Sequence, residues 1–236
     1  MEITSNTNFQ EGVILLIDKP YGWTSFNVVS KIRSLIRRKT GVKNIKVGHA
    51  GTLDPLATGL LVICTGKATK RVEMLQAEAK EYIATFHLGQ TTPSFDMETQ
   101  KDFEFPTDHI TLEDVKEVIT GFIGEQQQIP PLFSAKFVQG KRAYRYARKG
   151  LDIELNPVPI TIYEMTLINF QLPVLTVLIR CSKGTYIRAI ARDIGKKLNS
   201  GAFLADLRRT KSGNFSVNNA ITLNDFEEII QNNVTH

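Results

Sequence analysis

The sequence has little that would staple, metallate or anchor it. Only two of its 236 residues are cysteine, Cys64 and Cys181, too few and too isolated for a disulfide framework or a zinc set. They read as buried thiols in a reducing compartment. Histidine is nearly as scarce, with four scattered residues, and no H-x-x-x-H, H-E-x-x-H or C-x-x-C pattern occurs; no metal is expected. The longest apolar runs, such as 13–17 and 60–64, fall far short of the ~20 residues that cross a bilayer. The first dozen residues lack the basic-then-apolar order of a signal peptide. A cytoplasmic protein is expected. Gly66-Lys67 follows an apolar run, but a phosphate-binding P-loop needs a glycine five residues earlier and Ser or Thr next, where Leu61 and Ala68 stand.

What is present is an ordinary globular balance, 42% hydrophobic and 22% charged. The net charge of +5 and pI near 9.1 favour a polyanionic partner without requiring one. Residues 13–17 predict a buried strand entering a turn. Thr24 or Ser25 caps a helix whose apolar face is Phe26, Val29, Ile32, Leu35 and Ile36. Further strands are expected at 60–64, 82–88, 160–168 and 174–180. Further helices are expected at 69–76, 112–122, 185–198 and 223–230, the second of these with Thr111 and Asp114 in a capping box. Residues 90–108 read as a long loop, functional or mobile. Helices and strands interleave without a strict βαβ repeat, which predicts one α+β domain over 1–236 built on a mixed sheet.

Three segments carry candidate chemistry. In 48–59, three glycines and Pro55 force an irregular backbone around two ionisable groups, Asp54 and His49. Such a loop can aim a carboxylate into a cleft; on spacing alone it can equally be a turn in which Asp54 caps a backbone N–H. Residues 136–149 combine Lys136, Lys141, Arg142, Arg145, Arg148 and Lys149 with Phe137, Tyr144 and Tyr146 and contain no acid. A charge run is usually a solvated face, but basic side chains among aromatics also suit phosphates and unstacked bases. In 180–188, a strand ends, Gly184 turns, Thr185 can cap a helix, and Tyr186 and Arg188 occupy its first turn. Arginine at that end gains nothing from the helix dipole, so either another group wants its charge or it is simply exposed. Arg208, Arg209 and Lys211 form a weaker basic cluster.

Taken together these segments resemble the bacterial tRNA pseudouridine synthase B (TruB) family. The likeness begins at Ile17-Asp18-Lys19-Pro20-Tyr21-Gly22-Trp23-Thr24-Ser25 and is strongest through 48–59 and Gly66-Lys67-Ala68-Thr69-Lys70. It resumes at Tyr82, Leu88-Gly89 and Gln128-Ile129-Pro130-Pro131-Leu132-Phe133-Ser134-Ala135, and closes with 181–188 and Leu207-Arg208-Arg209. The resemblance implies the pseudouridine synthase fold, with a mixed, mostly antiparallel sheet flanked by helices and loops. It implies isomerisation of uridine 55 in the T arm of tRNA, with no cofactor. By the family pattern Asp54 is the catalytic carboxylate and Arg188 its charge partner, while His49, Tyr82, Tyr186 and Leu207 line the uridine pocket. Lys19, Lys136, Lys141, Arg142, Arg145 and Arg208 are then candidates for gripping the RNA backbone. Two features depart from the pattern. A catalytic domain without the C-terminal RNA-binding PUA domain of longer relatives is expected, and Thr91-Thr92-Pro93-Ser94-Phe95-Asp96 only loosely matches the family's Thr/Asp-rich stretch. A monomer is expected.

The residues suit the chemistry. A carboxylate can attack the sugar C1′, remove a sugar proton or stabilise a cationic sugar, and an adjacent arginine favours its charged form. Two other readings stand beside this one. A non-catalytic RNA binder would need the basic surfaces but not Asp54. A carboxylate-dependent hydrolase of a small phosphorylated or glycosidic substrate is the other; for glycosides paired carboxylates would be expected, and the loop offers one.

Overall fold

A short apolar run closed by Asp18, Lys19 and Pro20 has no room for a helix, and β1 occupies Ile14–Lys19 with alternate residues buried. The computed structural model describes residues 3–4, 6–134, 136–138, 140–147, 151, 153 and 155–231. Beyond β1 the chain continues through α1 (Ser25–Thr40), β2 (Val47–His49), β3 (Thr58–Thr65), a 3-10 turn and α2 (Val72–Ala77), β4 (Lys80–Leu88), α3 (Leu112–Thr120) and β5 (Gly124–Gln128). A short hairpin of β6 (Phe137–Val138) and β7 (Lys141–Arg142) leads into α4 (Ala143–Ala147), then β8 (Val158–Gln171), β9 (Val174–Cys181), α5 (Ile187–Lys197), β10 (Ala202–Ser212), β11 (Phe215–Ser216) and α6 (Leu223–Gln231). Two compact units interleave along the chain, one made of 1–82 with 208–236, the other of 83–207.

In the first unit β3 is the hub. It pairs antiparallel with β1, from Ile14 opposite Cys64 to Lys19 opposite Gly59, and with β2, His49 opposite Ile63. It pairs parallel with β10 through Arg208 opposite Thr58 and Arg209 opposite Gly59. The connection between β2 and β3 is therefore a loop whose two ends lie on neighbouring strands, and Asp54 sits in it. Helix α1 starts where Thr24 accepts a hydrogen bond from Asn27 N, and stops at Gly41 in the left-handed region. Its buried face is Ser25, Val28, Val29, Ile32, Leu35 and Ile36, packed with Leu15, Ile17, Leu61, Ile63 and, from α6, Phe226 and Ile230. Phe26, expected on that face, is 70% exposed, because it lies one position off the stripe that Ser25, Val28, Val29 and Ile32 define.

In the second unit β8 is flanked by β9 and β5, both antiparallel. Strand β5 is the polar run Gly-Glu-Gln-Gln-Gln, which no apolar pattern marks; register with 158–162 of β8 makes it a strand. The capping box at Thr111 and Asp114 is present. The parallel β3–β10 ladder among antiparallel ones gives the mixed, mostly antiparallel pairing expected.

Candidate active site

The Asp54 loop owes its path to glycine. Gly51 and Gly59 have φ of 109° and 97°, which side chains rarely adopt. At Gly59 a Cβ would stand 2.3 Å from Arg209 O, so nothing larger fits where β3 meets β10. Ala57 N closes a turn on Asp54 O at 3.1 Å, and Asp54 itself is half-buried. His49 ends β2 just upstream. Burial pushes its imidazole below the ordinary 6.5, and the Arg209 guanidinium pushes it the same way, which favours the neutral ring.

Lys19, expected to touch the RNA backbone, is instead fully buried at 0% exposure. Its Nζ donates to Pro20 O (2.9 Å), Trp23 O (2.5 Å) and Pro55 O (3.2 Å). An inward-facing ammonium is not a surface phosphate contact; it braces the residue after Asp54. Burial pulls its pKa from 10.5 to about 8, with the Asp54 charge opposing and the Arg209 charge reinforcing the fall. Arg208 is engaged in a two-pronged pair with Asp18, Nη1–Oδ1 3.1 Å and Nη2–Oδ2 2.7 Å. Tyr82, in β4, is buried.

In the second unit α5 begins at Tyr186 rather than Thr185. The Thr185 hydroxyl turns back to donate to Ser182 O at 3.0 Å, and Tyr186 is the cap residue. Gln128 grips Tyr186 in both directions: Tyr186 N donates to Gln128 Oε1 at 2.8 Å, and Gln128 Nε2 donates to Tyr186 O at 3.1 Å. Arg188 follows, buried, its Nε 3.4 Å from Asp96 Oδ2. The 90–108 loop is densely tied: Thr91 Oγ1 donates to Asp102 Oδ1 and Gln90 Nε2 to Glu104 Oε1. Leu207 is buried in β10. Lys136 Nζ donates to Asn156 O at 3.1 Å. The side chains of Lys141, Arg142 and Arg145, and all of Arg148 and Lys149, lie outside the described residues.

Three residues that the sequence reading left without a site role now have one in this geometry. Asp96 holds Arg188, Gln128 orients Tyr186, and the buried Arg209 adds to the effect of burial on His49 and Lys19. Gln128 and Arg209 lie in segments that already resembled family motifs, and Asp96 in one that did so loosely, so a signal was there. Among the described residues no group of three His, Cys, Asp or Glu side chains is arranged to hold a metal ion, and no helix is long and apolar enough to cross a membrane.

Residues 37–187 match the model of the TruB family pseudouridylate synthase (N terminal domain), and 188–235 that of the tRNA pseudouridylate synthase B C-terminal domain. The chain is 58% identical over 221 residues to tRNA pseudouridine synthase B of Phocaeicola vulgatus, covering 94% of each. It is 51% identical over 224 residues to tRNA pseudouridine synthase B of Flavobacterium johnsoniae, covering 94% of this chain and 98% of the relative. Among solved structures it resembles a chain of a Cbf5-Nop10-Gar1 complex with a TM-score of 0.71 and 27% identity, over 96% of this chain and 58% of the other. It also resembles a chain of an H/ACA RNP bound to a substrate RNA containing 2′-deoxyuridine, with a TM-score of 0.67 and 27% identity, over 93% and 53%. It thus spans little more than half of those two chains.

Proposed function

This chain belongs to the TruB family and has the pseudouridine synthase fold, and from that membership we propose that it converts uridine 55 of the tRNA T arm to pseudouridine with Asp54 as its catalytic carboxylate. The observation that carries the reading is the setting of Asp54: a half-buried carboxylate on a glycine-shaped loop, within the field of the buried Lys19 ammonium. A small anion placed against fixed positive charge in a partly dry site is suited to stabilising an electron-deficient sugar.

The reaction balances internally. The C1′–N1 bond breaks, the base turns, C1′ joins C5, the C5 proton leaves and N1 gains one. Nothing is oxidised and no group is carried away, so the residues need only act on the sugar, hold the detached base and accept a proton. Asp54 acts either by attack on C1′ or by taking a sugar proton, and a base then removes the C5 proton. The remaining roles follow the family pattern: His49, Tyr82, Tyr186 and Leu207 receive the uridine, and Arg188 supports the carboxylate. Everting the uridine costs a few kcal/mol, which stacking on an aromatic face offsets by roughly 1–3 kcal/mol. Lys136, Lys141, Arg142, Arg145 and Arg208 supply charge for the RNA backbone.

The test is an unmodified tRNA transcript tritiated at uridine C5. The purified protein is expected to release tritium from a single T-arm position. Tight RNA binding without release would favour a non-catalytic RNA binder instead.

A further inference from the structure

We propose that Arg209 and Ser25 are positioning residues for Asp54, acting on turnover and not on RNA affinity; the proposal rests on the reading of Asp54 as the catalytic carboxylate. Each contacts the backbone leading into Asp54, and neither reaches the surface. Ser25, at the start of α1, is 2% exposed. Its hydroxyl donates to Leu53 O at 3.1 Å and accepts from Leu53 N at 2.8 Å, so both polar groups of the residue before Asp54 are satisfied by one side chain.

Arg209 approaches from β10 and is 1% exposed. Its Nη2 donates to Gly51 O at 3.1 Å, its Nη1 lies 3.5 Å from Thr52 O, and its Nε donates to Leu60 O at 2.7 Å. The carbonyls of Gly51, Thr52 and Leu53 are thus each taken by a buried side chain, while Lys19 takes that of Pro55 on the far side. The loop carries three glycines between 48 and 59 and would otherwise sample many conformations. Hydrogen bonds from two separate elements select one of them and fix where the carboxylate points.

The guanidinium is needed for its shape. A planar fork with five N–H donors can address the carbonyls of residues 51, 52 and 60 at once, whereas a lysine ammonium is a compact donor that reaches only one end of that span. Reacting groups tolerate little displacement; an error of about 1 Å costs on the order of 100-fold in rate.

The test compares Ser25→Ala, Ser25→Thr and Arg209→Lys with the unaltered chain. Single-turnover tritium release, tRNA Kd by filter binding and folded fraction by denaturant unfolding are measured for each. Arg209→Lys is expected to lose about 100-fold in turnover and Ser25→Ala about tenfold, the scale of one hydrogen bond. Kd should stay within about twofold of the unaltered chain, and Ser25→Thr, which keeps the hydroxyl, should turn over faster than Ser25→Ala. If Arg209→Lys does not fold, Ser25→Ala decides. Turnover at the full rate in Ser25→Ala, or a loss that merely tracks weaker RNA binding or a smaller folded fraction, overturns the proposal. Failure of the unaltered chain to release tritium overturns the Asp54 reading and this proposal with it.

Discussion

Arg188 and Asp96 form a buried ion pair, Nε to Oδ2 at 3.4 Å, with both side chains about 5% exposed. The pair sits inside a network. Arg188 also donates to Ser94 O and Phe133 O, and Asp96 Oδ1 accepts from Ser94 Oγ and Glu98 N. Phe95 between them has φ of 62°, a conformation non-glycine residues seldom take, so the network holds the loop against its own preference. Asp96→Ala removes the carboxylate paired with the buried Arg188 guanidinium and is expected to lower the unfolding free energy by about 3–5 kcal/mol. Urea unfolding checks this; a loss below about 1 kcal/mol would show that the pair is not a buried linchpin.

Lys19 gives the site a pH limit. Its folded value of about 8 lies below its ordinary 10.5, chiefly because of burial. Between those values the unfolded chain binds more protons than the folded one, so this group's contribution to stability rises with pH. Turnover should move the other way, since the positive charge beside Asp54 disappears. The expected result is an alkaline fall in turnover with a midpoint near 8 and no matching loss of unfolding free energy. In Lys19→Arg, whose charge persists, the midpoint should rise; an unmoved midpoint would mean that another group titrates.

Gly59 tests the seam between β3 and β10. An alanine there places Cβ 2.3 Å from Arg209 O at a φ of 97°. Left-handed backbone costs roughly 1–2 kcal/mol and overpacking about 1–3 kcal/mol. Gly59→Ala is expected to lose both amounts in denaturant unfolding, together with most of its turnover. A variant as stable as the parent would mean that the strands separate easily.

The single tryptophan, Trp23, provides an optical probe. It is 37% exposed, and its carbonyl shares the Lys19 ammonium with Pro55, so its indole rides on a turn tied to the Asp54 loop. Saturating tRNA should change its emission, and the response should weaken as salt rises. Binding detected by filter retention with no change in emission would place the RNA away from this loop.

The elements that the sequence made legible are those with local signals. Helix α1 carries its own cap at Thr24 and its own stop at Gly41, and β1 and β3 are apolar runs between turn residues. Strand β5 is polar throughout, and its pairing partners lie 30 to 38 residues later, from Gln128 opposite Val158 to Gly124 opposite Ile162, so no local pattern could announce it. Strand β10 has no apolar alternation to announce it, and its Arg208, Arg209 and Lys211 read only as a basic cluster. Arg209 is buried because three carbonyls from distant segments await it. Lys19 was misread for the same reason: a charge buried against carbonyls looks, in sequence, like one meant for phosphate. The glycine-shaped loop around Asp54 was legible because its turn residues lie within the loop itself, whereas the burial of Lys19 and Arg209 depends on what the fold brings to them.

The most direct measurement is tritium release from C5-labelled, unmodified tRNA by the chain and by Asp54→Asn, with tRNA affinity measured alongside. The account predicts release from one T-arm uridine by the unaltered chain, and unchanged binding with no detectable release by the variant. Release by Asp54→Asn at a rate near that of the parent would contradict the assignment of Asp54 as the catalytic carboxylate.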